Sequence, residues 1–145
     1  MQLIAVTGME YDAKRQVVSA LLDAIAENAP VTLIDNAEQA LRLPHGTVRL
    51  PGGCACCTLV SGLVDAMGLV DTPYAVIAVS GAAVPEALAL VLNSFRRPDV
   101  SVHTLALVTP ALWERAPYPA SQLSLHADHV IASVEELAPL LAELR

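Results

Sequence analysis

The sequence predicts an α/β fold, a three-layer domain in which helices cover both faces of a mostly parallel sheet. Three observations predict it. Short apolar runs rich in β-branched residues recur along the chain, and segments long enough for a helix separate them. The runs are apolar without alternation, as strands covered on both faces are. At 145 residues the chain suits a single domain over 1–145, with room for a real core.

Each element has its own signal. The first strand is expected over 3–7 and ends at Gly8, a residue suited to a tight turn. Val17, Val18, Leu21, Leu22 and Ile25 follow at spacings of three and four, which places them on one face of a helix, and Asp12 is a candidate cap. Strands are expected over 31–35, 47–50, 74–80, 102–108 and 128–132. Further helices are expected over 58–70, 85–94 and 134–144, with Pro85 in a first turn. Arg96-Arg97-Pro98-Asp99 and Pro117-Tyr118-Pro119 read as surface connections, because proline removes a donor and biases its neighbour away from helix.

Composition narrows the function. A net charge of −7 with eight Lys and Arg argues against a nucleic-acid partner, which needs a basic patch to displace counterions. No apolar run reaches the roughly 18 residues of a membrane span, so no membrane partner is expected. The first residues enter a strand pattern without a basic, apolar and small-residue leader, and the expected location is the cytoplasm.

The three cysteines, Cys54, Cys56 and Cys57, fall within four residues, too close to staple distant parts of a fold. Gly52 and Gly53 precede them and allow a turn on which thiols can converge. The expected helix behind them favours the thiolate form through its N-terminal dipole. Buried cysteines are common in cores, and a vicinal Cys56–Cys57 disulfide would be strained in a reducing cytosol; three thiols beside two glycines favour metal or thiol chemistry over both readings. Thiolates select soft or borderline ions, and there is no fourth cysteine for an iron–sulfur cluster, so zinc leads. Three ligands leave one coordination position for water, a partner or a histidine. His45, nine residues upstream of Cys54, is the nearest candidate; His103, His126 and His129 rank below it.

The run Gly-Cys-Ala-Cys-Cys-Thr-Leu at 53–59 resembles the GCxCC motif of the CobW branch of the CobW/HypB/UreG P-loop GTPases, a metallochaperone family. Other segments are similar in register. Val6-Thr7-Gly8 resembles the entry to that family's phosphate loop, and residues 77–85 resemble its Walker B stretch. Leu107-Val108-Thr109 falls where the family has a strand ending in Asp, and residues 127–131 resemble the strand before its guanine motif. The resemblance implies a P-loop NTPase-like domain, thiolate metal ligands at Cys54, Cys56 and Cys57, and nucleotide contacts at Gly8, Lys14 and Arg15. It leaves no sequence for the family's separate C-terminal domain.

The departures fall on the nucleotide chemistry. A phosphate loop reads G-x-x-x-x-G-K-[ST]; here Ala13 stands for the second glycine and Arg15 for the hydroxyl that holds magnesium. Glu10 and Asp12 add negative charge, and a carboxylate about 5 Å from a phosphate costs roughly 3 kcal/mol at an effective dielectric of 20. Ala78 replaces the Walker B acid, Val84 replaces an Asp, and Ser133-Val134-Glu135-Glu136 stands in place of NKxD. The expectation is a metal-binding protein of metal homeostasis or delivery, acting on a client metalloprotein or as a homo-oligomer, with an inactive GTP site. Two alternatives stay open: a residual GTPase using GTP and magnesium, and a thiol redox or regulatory module.

Overall fold

The computed structural model describes residues 1–50 and 55–144, with the side chains of residues 55–61 excepted. Six strands form one sheet in the order β3-β2-β4-β1-β5-β6, every neighbouring pair parallel. They are β1 (Gln2–Thr7), β2 (Val31–Asp35), β3 (Thr47–Arg49), β4 (Tyr74–Ala78), β5 (Ser101–Leu107) and β6 (His129–Ile131). Each lies within two residues of its expected bounds.

The helices are α1 (Tyr11–Ala26), α2 (Ala55–Leu69), α3 (Pro85–Asn93), α4 (Pro110–Arg115), α5 (Pro117–Leu125) and α6 (Leu141–Leu144). Successive side chains of a strand point to opposite faces, and the core divides accordingly. Ile4, Val6, Leu33, Val76, Leu105 and Leu107 pack under Val17, Val18, Leu21, Leu22 and Ile25 of α1, joined by Leu137 and Leu144. On the other face Leu3, Ala5, Ile34, Ile77 and Val102 meet Leu63 and Ala66 of α2 and Leu88 and Leu92 of α3. Ala106 and Val108 extend that second face under Leu112, Ala120 and Leu123 of α4 and α5.

Three local expectations need correction. Asp12 does not cap α1: the helix opens two residues earlier than such a cap would place it, with Glu10 at the N-cap, and Asp12 lies inside its first turn. Glu10 makes no side-chain cap either, because its carboxylate is bonded to the Thr109 hydroxyl. Residues 117–119 are no loose connection but the opening turn of α5, where a missing N–H costs nothing. Thr109 starts α4 likewise, its hydroxyl accepting from the Leu112 amide at 3.1 Å. The expected helix over 134–144 breaks into two 3₁₀ turns, Val134–Glu136 and Ala138–Leu140, before α6. Pro139 explains the break, since it has no N–H for the α-helical bond to the carbonyl four residues back.

Strand order places the functional edge. The chain leaves β1 through α1 on one face and leaves β4, the neighbouring strand, through α3 on the other. Helices parting in this way open a crevice beyond the C-terminal ends of the strands, where parallel sheets place their ligands.

Candidate functional site at the C-terminal edge of the sheet

Gly8 ends β1 against β5. A Cβ on it would lie 3.1 Å from the Leu107 carbonyl oxygen and 3.3 Å from the Leu107 Cβ, so a side chain at residue 8 would push the two strand ends apart by a few tenths of an ångström. Just Gly8, Met9 and Glu10 separate β1 from α1. Residues 11–13, which a phosphate loop would leave free to present amides, are already wound into helix.

Lys14 is fully buried, the largest side chain so enclosed among the described residues. It reaches back along α1, and its Nζ donates to the Gly8 carbonyl at 3.0 Å and to Glu38 Oε1 at 2.7 Å. The same Glu38 oxygen accepts the Gly81 amide at 2.6 Å. Lys14 and Glu38 together thus tie the loops that follow β1, β2 and β4. A Cβ on Gly81 would lie 3.3 Å from the Gly8 carbonyl oxygen and 3.5 Å from Glu38 Oε1, so a larger residue there would crowd the junction. Burial holds the Lys14 ammonium below the ordinary lysine range, against the opposing pull of Glu38 and Asp35. Burial pushes the Glu38 carboxyl upward, but the bonds from Lys14 and Gly81 outweigh it and hold it below the usual carboxylate range.

The loop bearing Glu38 is anchored from beneath. Buried Asp35 accepts the Ala37 amide on Oδ1 at 3.0 Å and the Leu41 amide on Oδ2 at 2.8 Å. Arg49 Nη1 donates to Asp35 Oδ1 at 3.0 Å and to the Ala37 carbonyl at 3.0 Å, so β3 fastens the loop rooted in its neighbour. Beside this junction lies a crevice of about 300 Å³, lined by Gly8, Met9, Gly81, Pro85, Tyr118 and Leu123 among others.

Of the residues expected to contact nucleotide, Gly8 and Lys14 come together, but Arg15 does not join them. Its Nε donates to the Leu41 carbonyl at 3.0 Å, on the outer side of the Glu38 loop. Ala78 is buried at the end of β4, and Val84 precedes α3. Neither supplies an acid. Glu38 was not foreseen from the sequence; it lies 24 residues from Lys14, and no periodicity or spacing links them.

Cys54 lies outside the described residues. Cys56 and Cys57 fall in the first turn of α2, which starts at Ala55 rather than at 58. His45 precedes β3, whereas the cysteine segment follows it, and His45 Nε2 is 3.0 Å from Asp23 Oδ1 of α1. His103 and His129 stack with ring centroids 6.0 Å apart across β5 and β6. Among the described residues no three His, Cys, Asp or Glu side chains converge as a metal site. No helix of the described residues is long and apolar enough to cross a membrane. The chain matches no family model, no curated protein and no solved structure.

Proposed function

We propose that this is a CobW-like metal-binding protein that holds a soft ion, zinc foremost, on Cys54, Cys56 and Cys57 and serves metal homeostasis or delivery, without GTP turnover. The observation that carries the reading is three thiols within four residues, two of them in the first turn of the 15-residue α2. A helix N-terminus favours the anionic thiolate that binds such ions. Three thiolates without a fourth leave a coordination position for a partner's ligand, which suits transfer rather than permanent storage.

The nucleotide half of the resemblance is poorly supported by its own residues. Lys14 is already paired with Glu38, residues 11–13 are helical, and Arg15 and Ala78 cannot hold magnesium. Phosphoryl transfer depends on that ion for charge neutralisation.

Chelator competition on reduced protein tests the proposal. The wild type should bind about one zinc per chain, or one shared by two chains, with affinity falling as pH drops because protons compete for the thiolates. Replacing all three cysteines by serine should abolish that binding, and Lys14→Met should leave it unchanged. Wild-type affinity in the triple serine variant would end the proposal.

A further inference from the structure

Thr7 closes β1 with its side chain on the face that carries Leu3 and Ala5, because residues two apart in a strand share a face. On that face pack α3 and α5, and the crevice of about 300 Å³ is lined from both helices and from Thr7. Thr7 is only 4% exposed, and its hydroxyl has no hydrogen-bond partner among the described residues. A polar group withdrawn from water without a partner is costly, so a hydroxyl this deep beside an open space points to a ligand.

The rest of the lining says which ligand. Met9, Pro85, Tyr118 and Leu123 make the walls apolar, and Met9 and Tyr118 are themselves 43% and 73% exposed, so apolar surface continues outward. Among the described residues no Lys, Arg or His lines the crevice, and its one charged side chain is Glu86, in the first turn of α3. That helix opens with Pro85, which has no N–H to offer an anion, and Glu86 adds a negative charge at the same terminus. An anion would find no counterion here, whereas an uncharged molecule needs none. The volume lies at the lower end of the roughly 300–1,000 Å³ of small-molecule sites, which combine apolar walls with a few polar groups.

We propose that this crevice binds a small uncharged alcohol, whose apolar body fills the space between α3 and α5 and whose hydroxyl pairs with Thr7. Gln122, on α5, supplies a second polar group along the lining. The site is independent of metal binding, because no cysteine lines it among the described residues.

The test titrates benzyl alcohol, toluene and benzoate separately into wild type, Thr7→Val, Thr7→Ser and Gln122→Trp, following the amide resonances of Gly8 and Leu123. Thr7→Val keeps the shape of the side chain without its hydroxyl, and Thr7→Ser keeps the hydroxyl. Gln122→Trp fills the crevice from a partly exposed position, so it answers the question even if a change at buried Thr7 disturbs the fold. Benzyl alcohol should bind the wild type saturably, roughly three- to tenfold more weakly to Thr7→Val, as the loss of one hydrogen bond implies, and undiminished to Thr7→Ser. Toluene should bind wild type and Thr7→Val alike, Gln122→Trp should bind neither compound, and benzoate should not bind. Benzyl alcohol that fails to saturate, binds Thr7→Val as tightly as wild type, or persists in Gln122→Trp overturns the proposal, as does benzoate binding as tight as that of the alcohol.

Discussion

Lys14 and Glu38 are partners, yet their removal should have unequal effects. An ammonium enclosed on every side depends on its counterion, whereas Glu38 retains the Gly81 amide and access to water. Deleting one member of a buried pair is costly when the charge left behind is buried and uncompensated, whereas replacing Lys14 leaves only a partly exposed carboxylate that keeps a backbone donor and water. Glu38→Ala should therefore destabilise the fold by about 2–3 kcal/mol, a figure reduced for the exposure of the carboxylate. Lys14→Met should change stability by less than about 1 kcal/mol in either direction. Denaturant unfolding near neutral pH measures both, and equal losses would refute the asymmetry. The Glu38 carboxyl also titrates below its usual range in the fold. Its stabilisation is therefore complete above the ordinary carboxylate pKa and is lost as pH falls through the lowered folded value. Glu38→Gln should flatten the acid limb of the stability profile, and an unaltered slope would contradict this coupling.

Among elements, the connection from β2 to β3 carries the most consequence, since it delivers Glu38 to the junction while Asp35 and Arg49 brace it. Arg49→Ala removes the brace without touching Lys14 or Gly81. Amide exchange at Ala37 and Leu41 should accelerate about tenfold, equivalent to roughly 1.4 kcal/mol of local stability, while the central strands β1 and β4 keep their protection. Unchanged exchange at both amides would show that Asp35 suffices alone. The sequence made the strands and the first helix legible because a buried strand or an amphipathic helix is encoded in adjacent residues. Val17, Val18, Leu21, Leu22 and Ile25 all face the core as their spacing requires. The short helix α5 is hidden because Pro117 and Pro119 read as a connection, although proline is compatible with a first turn. Gly8 and Lys14 could be picked out from a local pattern, but the partner that occupies Lys14 could not. The pairing of Lys14 with Glu38 exists only after β2 has been set two places from β1, with β4 between them.

For the molecule as a whole, the order β3-β2-β4-β1-β5-β6 leaves a three-residue strand at either edge, β3 and β6. Edges this short offer little template for pairing with another sheet. The long strands β1 and β5 lie inside, so local opening should start at the rims. The helix that carries Cys56 and Cys57, α2, follows the edge strand β3 in the chain. A metal held there should slow exchange in β3 and in α2 before it alters the centre of the sheet. Exchange measured with and without zinc checks this: protection gained uniformly over all strands, or not at all in β3 and α2, would contradict it.

Three residues between β1 and α1 also set how reversible a loss of nucleotide chemistry would be. A missing hydroxyl or glycine can return by single substitutions, at Arg15 and Ala13, but a loop already wound into helix cannot be regained as cheaply. Its recovery would require the first turn of α1 to unwind and Lys14 to leave the interior together. The double variant Ala13→Gly/Arg15→Thr should accordingly show no magnesium-dependent GTP turnover above background, and measurable turnover would reveal a shorter way back. A lineage that reached this arrangement from a GTPase would have passed a ratchet, free to vary its former nucleotide residues while the packing around Lys14 blocked each single step of return.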